Sequence, residues 1–533
     1  MLSNPENLKF EFDQGMDQED KTVICLGKKF KNDEERRVYF TELLREKLKD
    51  PEFRKIEGFP IAEDEDILAL SDPPYYTACP NPWLQDIIEE WEKQKPAKPE
   101  GYVYKREPYA ADVSEGKNDP IYNAHSYHTK VPHKAIMRYI LHYTEPGDIV
   151  FDGFCGTGMT GVAAQLCGDR DAVCSLGYRV EEDGTILREE TDENGKKVWV
   201  PFSKLGPRRA VLNDLSPAAT FIAYNYNTPV DVASFEREAK RILKEVEAEC
   251  GWMYETLHTD GKTKGRINYT VWSDVFVCPN CLEEIVFWEA AVDKEQGKVL
   301  GEFPCPHCQA MLTKRNMERA WITKYDPAID QNIRQAKQVP VLINYSVGNK
   351  RYEKTPDGFD LELINKIEHS EIPYWYPTDR LIEGKETRRN DPIGITHVHH
   401  FYTKRNLWVL AKLNAKCQEK LRIIFHSIVA TLCSRLVRYN MGHRGNGPLN
   451  GTLYVSSLNA ESCILRLFAG KVKDFARALI ANSYNIVSTQ SLEDTLVKKE
   501  SIDYLFLDPP FGSNLNYSEL NFLWESWLKV WTN

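Results

Sequence analysis

Phe151-Asp152-Gly153-Phe154-Cys155-Gly156-Thr157-Gly158-Met159-Thr160-Gly161 decides the fold class of this 533-residue chain. It reads as the end of a strand closed by an acidic residue, a glycine turn, and the first turn of a helix. Glycine tolerates backbone conformations that a β-carbon forbids, so Gly156 and Gly158 let the chain pass close to a ligand. A strand, a glycine loop and a helix in this order form the ligand-binding unit of an α/β sheet, in which ligands lie beyond the carboxyl ends of the strands. The surrounding periodicity predicts a helix over 132–143, a strand over 148–152 and a helix over 159–168.

Moving outward, Ala210-Val211-Leu212-Asn213-Asp214 is a second strand ending in an acid, placed to receive ribose hydroxyls. In an ordinary nucleotide-binding fingerprint that acid follows the loop by about 20 residues. Here the charged stretch 176–202 intervenes, and its turn signals Asp183-Gly184 and Asn194-Gly195 predict a β-hairpin excursion. A third strand, Tyr504 to Leu507, runs into Asp508-Pro509-Pro510-Phe511, and a helix is predicted over 517–530.

The glycine run and the Asp-Pro-Pro-Phe run together resemble the amino-methylating DNA methyltransferases, which use S-adenosylmethionine to modify exocyclic amines of adenine or cytosine. His125-Ser126-Tyr127-His128-Thr129-Lys130-Val131-Pro132, followed by Pro146 to Asp152, resembles the segment that leads into that family's cofactor loop. The likeness covers roughly 121–168, 209–225 and 484–530. It implies an α/β, Rossmann-like S-adenosylmethionine-dependent methyltransferase sheet. Asp152, Phe154, Gly156, Gly158 and Asp214 would then bind the cofactor. Where the family often has an acid near the adenine ring, this chain has Ser488-Thr489-Gln490-Ser491, with Gln490 as the substitute hydrogen-bonding group.

The resemblance assigns catalysis to Asp508, Pro509 and Phe511. An exocyclic amine is a poor nucleophile because its lone pair is delocalised into the ring. Asp508 and the carbonyl of Pro509 can each accept one amine hydrogen bond, which favours a tetrahedral nitrogen, and two prolines stiffen the turn that holds them. Phe511 offers a face for an extruded base. Asp rather than Ser at the head of the tetrapeptide favours adenine over cytosine. Asp72-Pro73-Pro74-Tyr75 has the same form. The family places its tetrapeptide either before or after the glycine loop, but too few strands follow Tyr76 before the loop, so Asp72 and Tyr75 are expected to form a secondary contact or a structural turn. The chain stops one helix after Asp508. The expectation is therefore a C-terminally shortened sheet, with Leu520, Phe522, Leu523, Trp527 and Leu528 lacking cover.

Cys278-Pro279-Asn280-Cys281, 23 residues, then Cys305-Pro306-His307-Cys308 is the spacing of a structural zinc ribbon with four thiolate ligands. Such a site is closed and carries no catalytic role. His397, His399 and His400 cluster without an acid or cysteine at ligand spacing and read as surface or loop histidines.

The sequence divides into an N-terminal accessory region and linker (1–120) and a first methyltransferase half (121–235). An insert (236–400) carrying the ribbon (272–315) and a second half (401–533) follow. Ile67 to Leu70 reads as a short strand, and 34–49 as a helix burying Val38, Leu43, Leu44 and Leu48. A net charge of −11 excludes a chain basic throughout but not a local basic face for DNA, with candidates at 314–324, 388–389 and 435–444. Thirteen cysteines with only two tight pairs, an acidic N-terminus and no apolar run of about 20 residues point to a reducing, cytoplasmic setting without a membrane. A restriction or defence partner fits the family resemblance. The rival readings are a non-catalytic nucleic-acid-binding zinc-ribbon protein with an incomplete core, and the same chemistry on RNA or a protein amide.

Overall fold

All four residues of Ile149–Asp152 are buried, and so are the middle four of Arg209–Asp214. Continuous burial of this kind marks central strands covered on both faces by helices. The computed structural model describes residues 22–98, 100–441, 445–510, 512 and 515–533. Its central sheet holds β1 (Tyr76–Thr77), β2 (Ile149–Asp152), β3 (Arg209–Asp214), β4 (Ile486–Thr489) and β5 (Tyr504–Leu505). The spatial order is β5-β2-β3-β4-β1, and every pairing is parallel. The carboxyl ends of β2, β3, β4 and β5 therefore open onto one side, with β2 and β3 adjacent at the middle.

Four helices flank this sheet around the site: α1 (His133–Tyr143), α2 (Met159–Leu166), α3 (Pro217–Tyr226) and α4 (Tyr517–Leu528). Helix α2 starts directly from Gly158, whose φ is +75°, and α3 is capped by Ser216 with Pro217 in its first turn. Leu520, Phe522, Leu523, Trp527 and Leu528 are all buried on α4, which packs against α3 and the helix Arg422–Val429. The expected bare face is therefore covered, by one helix from each methyltransferase half. β5 is one edge strand of the sheet, with Leu505 56% exposed and Leu507, just beyond it, 43% exposed.

The excursion between β2 and β3 is a three-stranded antiparallel sheet of Arg179–Val180, Thr185–Thr191 and Lys197–Lys204, as the two turn signals require. The long insert is organised by one strand, Lys264–Val277. It pairs with Gln338–Val347 and also with Leu458–Ser462, which arrives from beyond residue 401. Near its end the same strand carries Glu284–Val286 and Glu318–Arg319.

Two local expectations fail. Ile67 to Leu70 lies in a helix, Asp64–Leu70, whose first turn is Asp64, Glu65 and Asp66; acids there complement the positive helix N-terminus. The helix Asp33–Leu48 buries Arg36, Phe40, Leu44 and Leu48, while Val38 and Leu43 are exposed. Burying Arg36 is tolerable because Asp33 and Asp72 both bind its guanidinium.

Candidate functional site

A cavity of about 600 Å³ opens at the carboxyl ends of the strands and is walled by Asp152, Phe154, Gly156, Asp214, Gln490 and Asp508, among others. Six segments meet there: the 127–131 stretch, the loop after β2, the end of β3, the end of β4, the turn after β5, and α4. Gly156 holds a φ of +50°, a left-handed conformation that glycine adopts without a steric penalty. Gly158 does not line the cavity. A β-carbon there would lie 2.6 Å from Asn227 Nδ2 and 2.8 Å from Ala223 Cα, so its role is to let α2 approach α3.

Asp152 is buried, accepts the backbone N–H of Phe154 at 3.1 Å, and takes the Thr160 hydroxyl on its other oxygen. Loss of solvent pushes its carboxyl up to about 7, against those two hydrogen bonds and with the help of the Asp214 and Asp508 charges. The Asp214 carboxylate receives the N–H of Gly156 at 2.9 Å and of Ser216 at 3.0 Å. Burial raises its proton affinity also, and the backbone donors oppose the shift. Two neighbouring acids at the strand ends make the cavity floor attractive to a cationic ligand with hydroxyl groups.

The wall holds polar atoms without protein partners. Gln490 is 1% exposed, and both its amide oxygen and its amide nitrogen lack a hydrogen bond; the Thr157 hydroxyl is likewise unpaired. Leaving such groups unsatisfied costs about 1–3 kcal/mol each, which a polar ligand in the cavity would recover. These orphaned atoms, with the paired acids, fit an adenosine-containing molecule with an amino-acid end.

Sequence reasoning missed several cavity residues. Tyr127 lies half-buried against Gly156, and its hydroxyl accepts from Asn521 Nδ2 at 3.1 Å. Asn521 also donates to Ser216 Oγ at 2.9 Å and meets His128 Nε2 at 3.0 Å, so it ties α4 to the 127–128 stretch and to the cap of α3. Tyr127 lay inside a motif already singled out. Asn521 carried no sequence signal, since a single Asn in an apolar helix announces nothing.

The two tetrapeptides separate cleanly. Asp508 and Pro510 border the cavity, Asp508 is exposed to it, and β5 lies next to β2. Pro509 is exposed in the same turn, and Phe511 lies outside the described residues. Asp72 sits instead beside β1 at the far edge of the sheet, 4% exposed. Its carboxylate is taken by Arg36 at 2.8 Å and by the Tyr224 hydroxyl at 2.7 Å, and Arg36 also donates to the Pro73 carbonyl at 2.7 Å. Despite its burial, the Arg36, Lys420 and Arg37 charges hold this carboxyl below its ordinary range. Tyr75 stacks on Tyr484 with ring centroids 4.1 Å apart. Every acceptor that the chemistry would need at Asp72 is already engaged.

The four ribbon cysteines come together. Cys278 Sγ lies 3.8 Å from Cys308 Sγ, and Cys281 Sγ lies 3.8 Å from Cys305 Sγ. Four thiolates placed tetrahedrally at 2.3 Å from one ion are about 3.8 Å apart, so the spacing fits zinc. The two knuckles are built alike. Leu282 and Gln309, each just after a second cysteine, both have positive φ, and their N–H groups bond back to the carbonyls of Cys278 and Cys305.

The histidine cluster departs from its sequence reading. His399 and His400 are buried rather than on the surface, and an acid does reach them: Asp326, more than 70 positions earlier in the chain. Long-range packing of the hairpin Trp321–Asp326/Gln331–Ala336 supplies the partner that local spacing lacks.

Residues 5–186 match the model of a family described as DNA methylase (N6_N4_Mtase). The matched span holds the glycine loop and Asp72-Pro73-Pro74-Tyr75, and it ends before Asp214 and Asp508. No curated protein and no solved structure matches the chain. The family match points to methylation of DNA as the class of activity. Among the described residues no helix is long and apolar enough to cross a membrane.

Proposed function

We propose that this chain transfers a methyl group from S-adenosylmethionine to an exocyclic amine of a DNA base, adenine in preference to cytosine. The observation that carries this reading is the shared cavity: Asp508 and Pro510 face the same space as the glycine loop and Asp214. The cofactor would supply an electrophilic methyl group on a positively charged sulfur. Asp214 would hold the ribose hydroxyls, and Gln490 would hydrogen-bond the adenine ring. Asp152 would sit toward the cationic amino-acid end, beside the loop of Phe154 and Gly156. Asp508 would accept one hydrogen of the target amine and the Pro509 carbonyl the other, freeing the nitrogen lone pair and leaving a carboxylate to receive the displaced proton. Phe511, and Tyr517 at the cavity rim, would give a flipped base aromatic surface.

The preference for adenine rests on Asp, not Ser, at the head of the tetrapeptide. The four cysteines would hold a structural zinc ion, closed to substrate, and the ribbon would lie against the nucleic acid. Nucleoside mass spectrometry of mixed-sequence DNA incubated with the protein and S-adenosylmethionine tests the reading. N6-methyladenine is expected and N4-methylcytosine would correct the base. Transfer to RNA or to a protein amide only, with DNA untouched, would overturn the substrate class.

A further inference from the structure

We propose a second metal site, formed by Asp326, His399 and His400, that takes a divalent transition metal with nitrogen and oxygen preference, zinc first. Asp326 ends the strand Trp321–Asp326, and the two histidines lie on the short 3-10 helix Val398–Phe401. All three are buried, with exposures of 8%, 7% and 5%. Both imidazoles aim the same atom at the same point: Nε2 of His399 is 2.8 Å and Nε2 of His400 2.9 Å from Asp326 Oδ2. The three ligand atoms lie within 4.8 Å of one another.

The distances fit coordination. Ligand atoms bonded at 2.0–2.1 Å and at right angles to one another lie about 2.9 Å apart, against about 3.4 Å in a tetrahedron. The two Oδ2–Nε2 spacings therefore correspond to a carboxylate oxygen adjacent to each imidazole on a five- or six-coordinate ion, with the remaining positions open. Water would fill them, or His397, whose half-buried ring has its centroid 5.1 Å from that of His400. Two imidazoles and one carboxylate suit zinc, iron or manganese, in contrast to the soft four-sulfur set of the ribbon.

The position gives such an ion a task. The hairpin carrying Asp326 rests on the loop before His399: Gln335 Nε2 reaches the Gly394 carbonyl at 3.3 Å, and a β-carbon on Gly394 would fall 2.1 Å from the Arg334 carbonyl oxygen. A metal at this point would clamp the exposed hairpin of the insert to the chain just before the helix Lys404–Lys416. The competing arrangement is a metal-free latch in which both imidazoles donate to Asp326. The 3.3 Å approach of the Thr396 N–H to His400 Nδ1 belongs to that latch, because a metal on Nε2 leaves the proton on Nδ1.

The test uses the full chain dialysed against zinc(II), with metal counted by mass spectrometry and ligands read by X-ray absorption at the zinc edge. The wild type is expected to hold two zinc ions per chain, the His399→Gln/His400→Gln variant one, and the Cys278→Ser/Cys281→Ser variant one. The absorption spectrum should contain both sulfur at about 2.3 Å and nitrogen or oxygen at about 2.0–2.1 Å. That spectrum is read on the wild type, so it decides the matter even if a variant fails to fold. A single zinc with sulfur ligands only, unchanged by the histidine substitutions, would overturn the site and leave the latch. In a parallel dialysis against manganese(II), one ion per wild-type chain that is lost in the histidine variant would keep the site and change the metal, so the single-zinc result overturns the site when manganese also fails to load. Loss of methyl transfer bears on neither outcome, so failure here is separable from failure of the proposed activity.

Discussion

At the residue scale, the two Asp-Pro-Pro turns differ in what their carboxylates already hold. Asp508 has a free face toward the cavity, whereas Asp72 neutralises a buried guanidinium. Asp508→Ala is expected to lower the methyl-transfer rate by at least about 100-fold while S-adenosylmethionine binding changes little, as when one preorganised acceptor is removed. Asp72→Ala should act on stability instead: it takes one of two carboxylates from Arg36, which is fully buried, and leaves Asp33 alone to pair it, at a cost of about 3 kcal/mol or less, read as a shift in urea midpoint. An Asp72→Ala protein that is fully stable yet inactive would exchange the two roles. Asp152 gives a pH signature. Its carboxyl titrates at about 7 in the folded protein, so above that pH it is ionised and attracts a cationic ligand, and below it the attraction is lost. If only the ionised form binds, cofactor affinity should fall about tenfold from pH 8 to pH 6, and Asp152→Asn should be weak and flat across that range. Isothermal titration at the two pH values checks both statements.

At the scale of elements, the site depends on how closely α2 follows β2 and leans on α3. Gly158 makes that packing possible, with φ +75° and no room for a β-carbon beside Ala223 and Asn227. Gly158→Ala is expected to cost about 2 kcal/mol or more from the left-handed backbone and the overlap together, and to move the Phe154–Gly156 turn. Stability to denaturant and cofactor affinity should both weaken in this variant, whereas Gly470→Ala, in a helix interior with open space around it, should leave cofactor affinity unchanged and raise stability by about 0.5–1 kcal/mol. The glycine turn, the acid ending β3 and the hairpin excursion could be read in advance because each is a local rule: a strand end, a turn dipeptide, a period. The short Ile67 to Leu70 run could not, since four apolar residues suit a strand or a helix equally and only the acids before them decide. The inward face of Asp33–Leu48 was misread for a related reason. Hydrophobicity points Val38 inward, yet the buried position goes to Arg36 because Asp72 waits for it from another element. Asp326 meeting His399 and His400 is the same case over a longer distance: pairings made by tertiary packing leave no trace in local spacing.

At the scale of the whole molecule, two apolar cores meet along one strand. The ribbon core, with Phe276, Ile285, Phe287 and Phe303 around Cys278 and Cys305, is separate from the main core, yet it includes Val271 from the insert and Leu458 from the strand of the second half that pairs with it. Lys264–Val277 thus runs from the ribbon back toward the second half of the chain, where Glu461 is held by Arg405 at 2.6 and 2.9 Å and by Trp272 Nε1 at 2.8 Å. A buried, bidentate pair of this kind is costly to break from one side and keeps the junction in one geometry. Structural zinc contributes on the order of 10–16 kcal/mol to small ribbons, as much as the net stability of a whole domain, about 5–15 kcal/mol. Chelation should therefore unfold the segment between Cys278 and Leu312, seen as fast amide exchange there. The parallel sheet should keep its protection, and S-adenosylmethionine affinity should change by less than about threefold, because no cavity residue belongs to the ribbon core. DNA affinity should fall much further than cofactor affinity if the ribbon touches the duplex. A joint collapse of both affinities, with exchange spreading past Glu461 into β4, would mean that the junction transmits the loss and that the two cores fold as one unit.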